Sequence, residues 1–183
     1  TESYTFTGVP VASYYIYCAT TDGSGPPVAG DAIGVYGTTW PAFPGSRNAS
    51  VTNGGNLTAD ITMVTGTNNV SGRVTMPTGA ATRDYAVLLD WDIDGGNGAL
   101  SMVTGTLANA NNYFDYSLFM PLPGNYYIYA AVDSDSPYDL MSDGPKCDDW
   151  MGYYNFPTAV YMTPAQTNTG KNFSVNVIGL DCK

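Results

Sequence analysis

The chain repeats itself. Tyr14-Tyr15-Ile16-Tyr17 returns as Tyr126-Tyr127-Ile128-Tyr129. Upstream of each motif, Tyr4 and Phe6 match Tyr116 and Leu118; downstream, Gly34-Val35-Tyr36 matches Gly152-Tyr153-Tyr154. Near the end of each copy, Asn56-Leu57-Thr58 is read against Asn172-Phe173-Ser174, followed by alternating segments around Ile61 and Val177. A spacing of roughly 115 residues is too long for a solenoid and suits a whole domain.

Helical periodicity is nearly absent. Apolar and polar residues alternate between frequent Gly, Pro and Asn, the pattern of an antiparallel sandwich or barrel. The second copy, residues 66–183, reads as complete, with strands predicted at Ser71–Met76, Tyr85–Asp92, Ala99–Thr106, Tyr113–Phe119, Tyr126–Val132, Ala159–Met162 and Asn172–Ile178. The first copy, residues 1–65, holds only the later strands. A partial sandwich exposes its inner face and its open edges. The missing strands are expected upstream in a longer parent chain, or from a neighbouring subunit by donor-strand or β-augmentation assembly. Alternatively the half-module packs on the full module as extra strands, or the chain is simply truncated.

Asn112-Tyr113-Phe114-Asp115-Tyr116, then Pro121-Leu122-Pro123-Gly124 and Tyr126-Tyr127-Ile128-Tyr129, resembles the "G-x-Y-x-F … L-P-x-G-x-Y" signature of transthyretin-like modules. Carboxypeptidase-regulatory-like and Cna-B-like domains share it; here Asn112 stands in place of the signature's Gly. Val70-Ser71-Gly72-Arg73-Val74 is similar to the "I-x-G-x-V" first strand of the same modules. The resemblance implies an all-β, Ig-like or prealbumin-like antiparallel β-sandwich, here one complete and one partial repeat. It implies little about function, because such modules serve as spacers, stalks, pilin domains and adhesin supports. It also raises the isopeptide cross-link of Cna-B-like domains, which usually needs a buried Glu. Glu2 is the only Glu, and lysine is confined to Lys146, Lys171 and Lys183, so no such bond is expected.

Charge and composition narrow the function. Six Lys+Arg against 16 Asp+Glu leave a formal charge of −10, which repels phosphate and argues against nucleic acid. Only 12% of residues are charged, so Thr, Ser, Asn, Gly and Tyr must supply the polar surface. No charged, then apolar, leader opens at Thr1, so any export signal is expected to be already removed or to lie outside this sequence. No apolar run is long enough to span a bilayer. Histidine is absent, which removes Ser-His-Asp and Cys-His catalysis and most acid–base schemes near neutral pH. No enzymatic role is expected.

Two acidic loops are candidate calcium sites. In the first, Asp90, Asp92 and Asp94 alternate ahead of Gly95-Gly96, like the start of a calcium loop but without its closing Glu. The second runs from Asp133 and Asp135 through Asp139 and Asp143 to Asp148 and Asp149. If strands alternate in direction, the two loops lie at opposite ends of the sandwich. The alternative for both is a solvated acidic turn.

Three cysteines leave at least one unpaired within the chain. A Cys147–Cys182 bridge is expected, with Cys18 a small core residue; the alternative is Cys18 bonded between subunits. Asn48, Asn56, Asn69 and Asn172 open Asn-x-Ser/Thr sequons, so an exported chain has four candidate glycosylation sites. Trp40, Trp91, Trp150 and the tyrosines read either as core and interface packing or as a sugar-stacking platform. The expectation is therefore an extracellular, cell-surface structural protein. It would be part of a pilus-like filament, stalk or surface layer, assembled with copies of itself or neighbouring modules. The alternative is a surface-displayed carbohydrate-binding or cell-adhesion module with a glycan partner.

Overall fold

The computed structural model describes residues 3–21, 27–77, 83–92, 99–107, 111–133 and 149–177. Strand is the regular structure they form, and no helix among them is long and apolar enough to cross a membrane. The first copy contributes β1 (Ala12–Tyr14), β2 (Tyr17–Ala19), β3 (Ala32–Val35), β4 (Ala49–Val51) and β5 (Val64–Thr65). The second contributes β6 (Val70–Thr75), β7 (Arg83–Asp90), β8 (Ser101–Leu107), β9 (Tyr113–Leu118), β10 (Gly124–Val132), β11 (Trp150–Tyr153), β12 (Val160–Met162), β13 (Phe173–Ser174) and β14 (Asn176–Val177).

The second copy is a sandwich. One sheet has the order β14-β11-β10-β7-β8, with β12 also on β10; the other is β13-β6-β9. Alternation makes the core. Every second residue of β9 (Phe114, Tyr116, Leu118) is buried, and so are Tyr126, Ile128, Ala130 and Val132 of β10. They meet Val70 and Val74 of β6 and Val87 and Leu89 of β7 in one continuous apolar cluster. Each of the valines, leucines, Ile128 and Phe114 contributes roughly 1.5–3 kcal/mol on burial.

The strand pattern differs from the sequence reading in two places. Trp150–Tyr153 is a full strand, pairing Trp150 with Val132 and Tyr153 with Tyr129, where the sequence suggested loop. The last predicted strand is two short ones, and β13 runs parallel to β6 in an otherwise antiparallel set.

The repeat holds down to single hydrogen bonds. Tyr17↔Val35 of β2–β3 corresponds to Tyr129↔Tyr153 of β10–β11, and Ile33↔Val64 to Met151↔Asn176. The Tyr14 hydroxyl donates to the Pro10 carbonyl at 2.9 Å, and the Tyr126 hydroxyl to that of Leu122 at 2.7 Å. The Tyr36 N–H donates to Ile16 at 2.9 Å, as Tyr154 does to Ile128 at 2.8 Å. Both copies then turn through a cis-proline, at Trp40-Pro41 and Phe156-Pro157. The Tyr4 hydroxyl reaches the Ala59 carbonyl, as Tyr116 reaches Lys171.

These bonds correct one sequence match. Ala59 corresponds to Lys171, so Asn172 is the counterpart of Asp60, and the counterpart of Asn56 is Asn168. The Asn-x-Thr/Ser likeness of Asn56 and Asn172 is a coincidence of composition; backbone pairing sets the register. The first copy also touches the second. Trp40 packs on Phe119 with ring centroids 5.8 Å apart, and its indole N–H donates to Pro121 at 3.0 Å. Ile33 and Val35 complete that small core.

Candidate functional site

In the first copy the face that should be a sandwich core lies open. Among the described residues no strands correspond to β6, β7 and β8 there, and β2 pairs only with β3. Tyr4–Phe6 corresponds to half of β9 yet forms no ladder with any described residue. What remains is a groove of about 810 Å³, walled by Tyr4, Phe6, Tyr14 and Ile16 and closed by Val51–Leu57.

Matched positions show what the groove lacks. Phe6 is 68% exposed where Leu118 is 1% exposed, and Tyr4 is 47% exposed where Tyr116 is 4% exposed. Tyr14 and Ile16 are half-buried where Tyr126 and Ile128 are fully buried. An exposed apolar patch of this kind is where interaction sites are commonly found. The sequence reading expected an exposed inner face in residues 1–65; it did not locate the groove, which needs the pairing register.

The acidic residues fall at two ends of β10. Asp90 pairs with Tyr127 near one end, whereas Asp133 and Asp149 flank the Val132↔Trp150 pair at the other. Asp94, Asp135, Asp143 and Asp148, like Cys147 and Cys182, lie outside the described residues. Among the described residues no three acidic or thiol groups converge as a metal cage.

Asp90 is only 2% exposed. Its Oδ1 accepts the Trp91 N–H at 2.6 Å and, at 3.5 Å, the Asp92 N–H two residues on, the contact of an Asx turn. Burial pushes its carboxyl above the usual range, and the neighbouring Asp92 adds to this, against the lowering effect of the Trp91 and Asp92 N–H groups. The Tyr129 phenol, raised to about 12 chiefly by burial, interacts with the same carboxylate. Asp133 and Asp149 are also buried, and the Arg83 guanidinium beside them donates to the Asp133 carbonyl at 2.9 Å while lying over the Trp150 ring.

A stability test follows from Asp90. Its folded-state value lies above the unfolded one, so the folded chain holds the proton more tightly. The resulting stabilisation is complete below the ordinary carboxylate range of about 4 and is lost as pH rises through the raised value. Asp90→Asn keeps the Oδ1 acceptor and removes the charge. Thermal melts in chelator should show this variant more stable than the parent near neutral pH, with the gap closing as acid protonates Asp90. A gap that is constant across pH would show that Asp90 is not desolvated.

The other predicted residues are dispersed. Cys18 is half-buried with its sulfur 2.9 Å from that of Met63, and burial raises its thiol. Asn48 and Asn56 are exposed, and the Asn48 amide donates to Tyr36 at 3.0 Å. Asn69 is clamped to the Met120 backbone, donating at 3.0 Å and accepting at 2.8 Å, so a glycan on its nitrogen would break a structural contact. Asn172 is exposed and accepts from the Arg73 N–H at 2.9 Å. Of the tryptophans, Trp40 and Trp150 are buried, and only Trp91 is half exposed, stacked on Tyr126.

No protein-family model, no curated protein and no solved structure matches this chain.

Proposed function

We propose that the chain is an extracellular structural protein, a subunit or segment of a filament, stalk or surface layer, built from transthyretin-like sandwich modules and assembled by sharing β-strands. The open groove of the first copy carries this reading. A core face with a ready strand edge is unstable in isolation and complete when a neighbour covers it. Tyrosine-rich strands suit such contact, because their rings bury area at low entropic cost and keep a polar tip. Calcium at the acidic strand ends would stabilise the assembled form. In that case Asp90→Asn becomes the less stable protein once millimolar calcium replaces chelator.

Light scattering and electron microscopy of the full chain test the assembly. Species larger than one chain, growing with concentration, are the expected result. A monodisperse monomer at every concentration, with and without calcium, would end the proposal.

A further inference from the structure

The two copies build the same groove, and only the second fills it. There β6 pairs with the Tyr116–Leu118 edge and shares the core with Val87 and Leu89 of β7, so β6 describes the strand that would pair with Tyr4–Phe6. This inference rests on the strand-sharing reading above and specifies the strand.

In the second copy, Val70 stands opposite Leu118 and Gly72 opposite Tyr116. The Ser71 N–H donates to the Asn168 carbonyl at 3.0 Å, and the Ser71 carbonyl accepts from Lys171 at 3.1 Å. The Arg73 N–H donates to the Asn172 side chain at 2.9 Å. Val70 and Val74 are fully buried. The first copy offers counterparts for the partners of Val70, Ser71, Gly72 and the Arg73 N–H; Phe114, opposite Val74, corresponds to Glu2, which lies outside the described residues. Phe6 and Tyr4 take the places of Leu118 and Tyr116. Asn56, Ala59 and Asp60 take those of Asn168, Lys171 and Asn172, and the Asp60 carboxylate is an acceptor where Asn172 offers one.

One position is restrictive. A Cβ on Gly72 would collide with the Lys171 carbonyl and lie 2.9 Å from the Tyr116 hydroxyl oxygen, because the Tyr116–Lys171 hydrogen bond runs across that glycine. The Tyr4 hydroxyl makes the same bond to Ala59. A strand entering the first groove in this register therefore needs glycine opposite Tyr4.

We propose that this groove is an acceptor for an added extended strand of Val-x-Gly-x-Val pattern. The donor runs antiparallel to Tyr4–Phe6. Its first valine faces Phe6 and enters the groove, and its glycine crosses Tyr4. The N–H before the glycine binds Asn56, and the N–H after it binds Asp60.

The probe is a synthetic peptide with this chain's own 69–76 sequence, titrated into the ¹⁵N-labelled full chain by NMR. Saturable shifts centred on Tyr4–Phe6 and Asn56–Asp60 are expected. The same peptide with alanine for its glycine should bind at least about tenfold more weakly, as should the native peptide to Phe6→Asp. Phe6 is exposed, so that variant should keep its fold. Equal binding of the two peptides would overturn the register. Binding insensitive to Phe6→Asp would mean exchange with β6 in the second copy, and would overturn the site. No binding at millimolar peptide would overturn the acceptor. If the chain then still assembles, and Phe6→Asp dissolves the assembly, the occupant is a second copy packed face to face. The strand proposal then fails while the assembly reading stands.

Discussion

Replacing Gly152 with alanine should lower the melting temperature of the chain by roughly 6–12 °C, from a loss of about 3 kcal/mol. Gly152 sits in β11 beneath the returning Phe173–Val177 segment. An added Cβ would strike the Ser174 carbonyl and lie 2.8 Å from the Val175 Cα, both of them backbone atoms that no side-chain rotation can move aside. Relief requires the return segment to lift, which undoes the β11–β14 pairing and the β13–β6 pairing together. Gly34 holds the same place in the first copy. There the added Cβ meets the Ile61 Cγ2 at 2.5 Å and the Thr62 carbonyl at 2.7 Å. Gly34→Ala should loosen only the first copy, seen as faster amide exchange in β2, β3 and β5, with the main melt nearly unmoved. Unchanged melting of Gly152→Ala would show that the return segment does not sit where the pairing puts it.

The second large effect is an asymmetry between matched positions. Leu118→Ala removes a fully buried side chain and should cost about 2–5 kcal/mol. Phe6→Ala alters the corresponding position of the first copy and should fall within about 0.5 kcal/mol, because Phe6 has no core around it to lose. Denaturant melts of the two variants measure the contrast directly. A Phe6→Ala loss as large as that of Leu118→Ala would mean that the groove is already filled in solution.

Much of this was legible because the signal was local. Tyr126-Tyr127-Ile128-Tyr129 alternates across the longest central strand, and alternation survives any detail of packing. Trp150–Tyr153 was not read as strand: four residues containing a glycine and following an Asp-rich stretch carry too short a period. Its glycine is there for close approach of another backbone, a tertiary demand that no local pattern announces. The match of Asn56 with Asn172 failed similarly, since composition supplied the likeness and the Tyr4–Ala59 bond supplied the true register. At the acidic positions, alternation flagged Asp90 and Asp92. Which carboxylates end up dry depends on neighbouring strands, so the burial of Asp133 and Asp149 beside Arg83 and Trp150 could be known only from the fold.

The pairing of Val132 with Trp150 has a practical consequence. The chain leaves the ladder after Val132 and rejoins it directly alongside at Trp150, so the sheet itself holds the two ends of the intervening stretch side by side. The first copy leaves and rejoins in the same way between Ala19 and Ile33, with a shorter excursion. Because closing a longer loop adds little entropic cost, about 0.6 kcal/mol per doubling, this junction is a natural graft point. A foreign epitope or reporter inserted there would be displayed from the end of the module opposite Asp90.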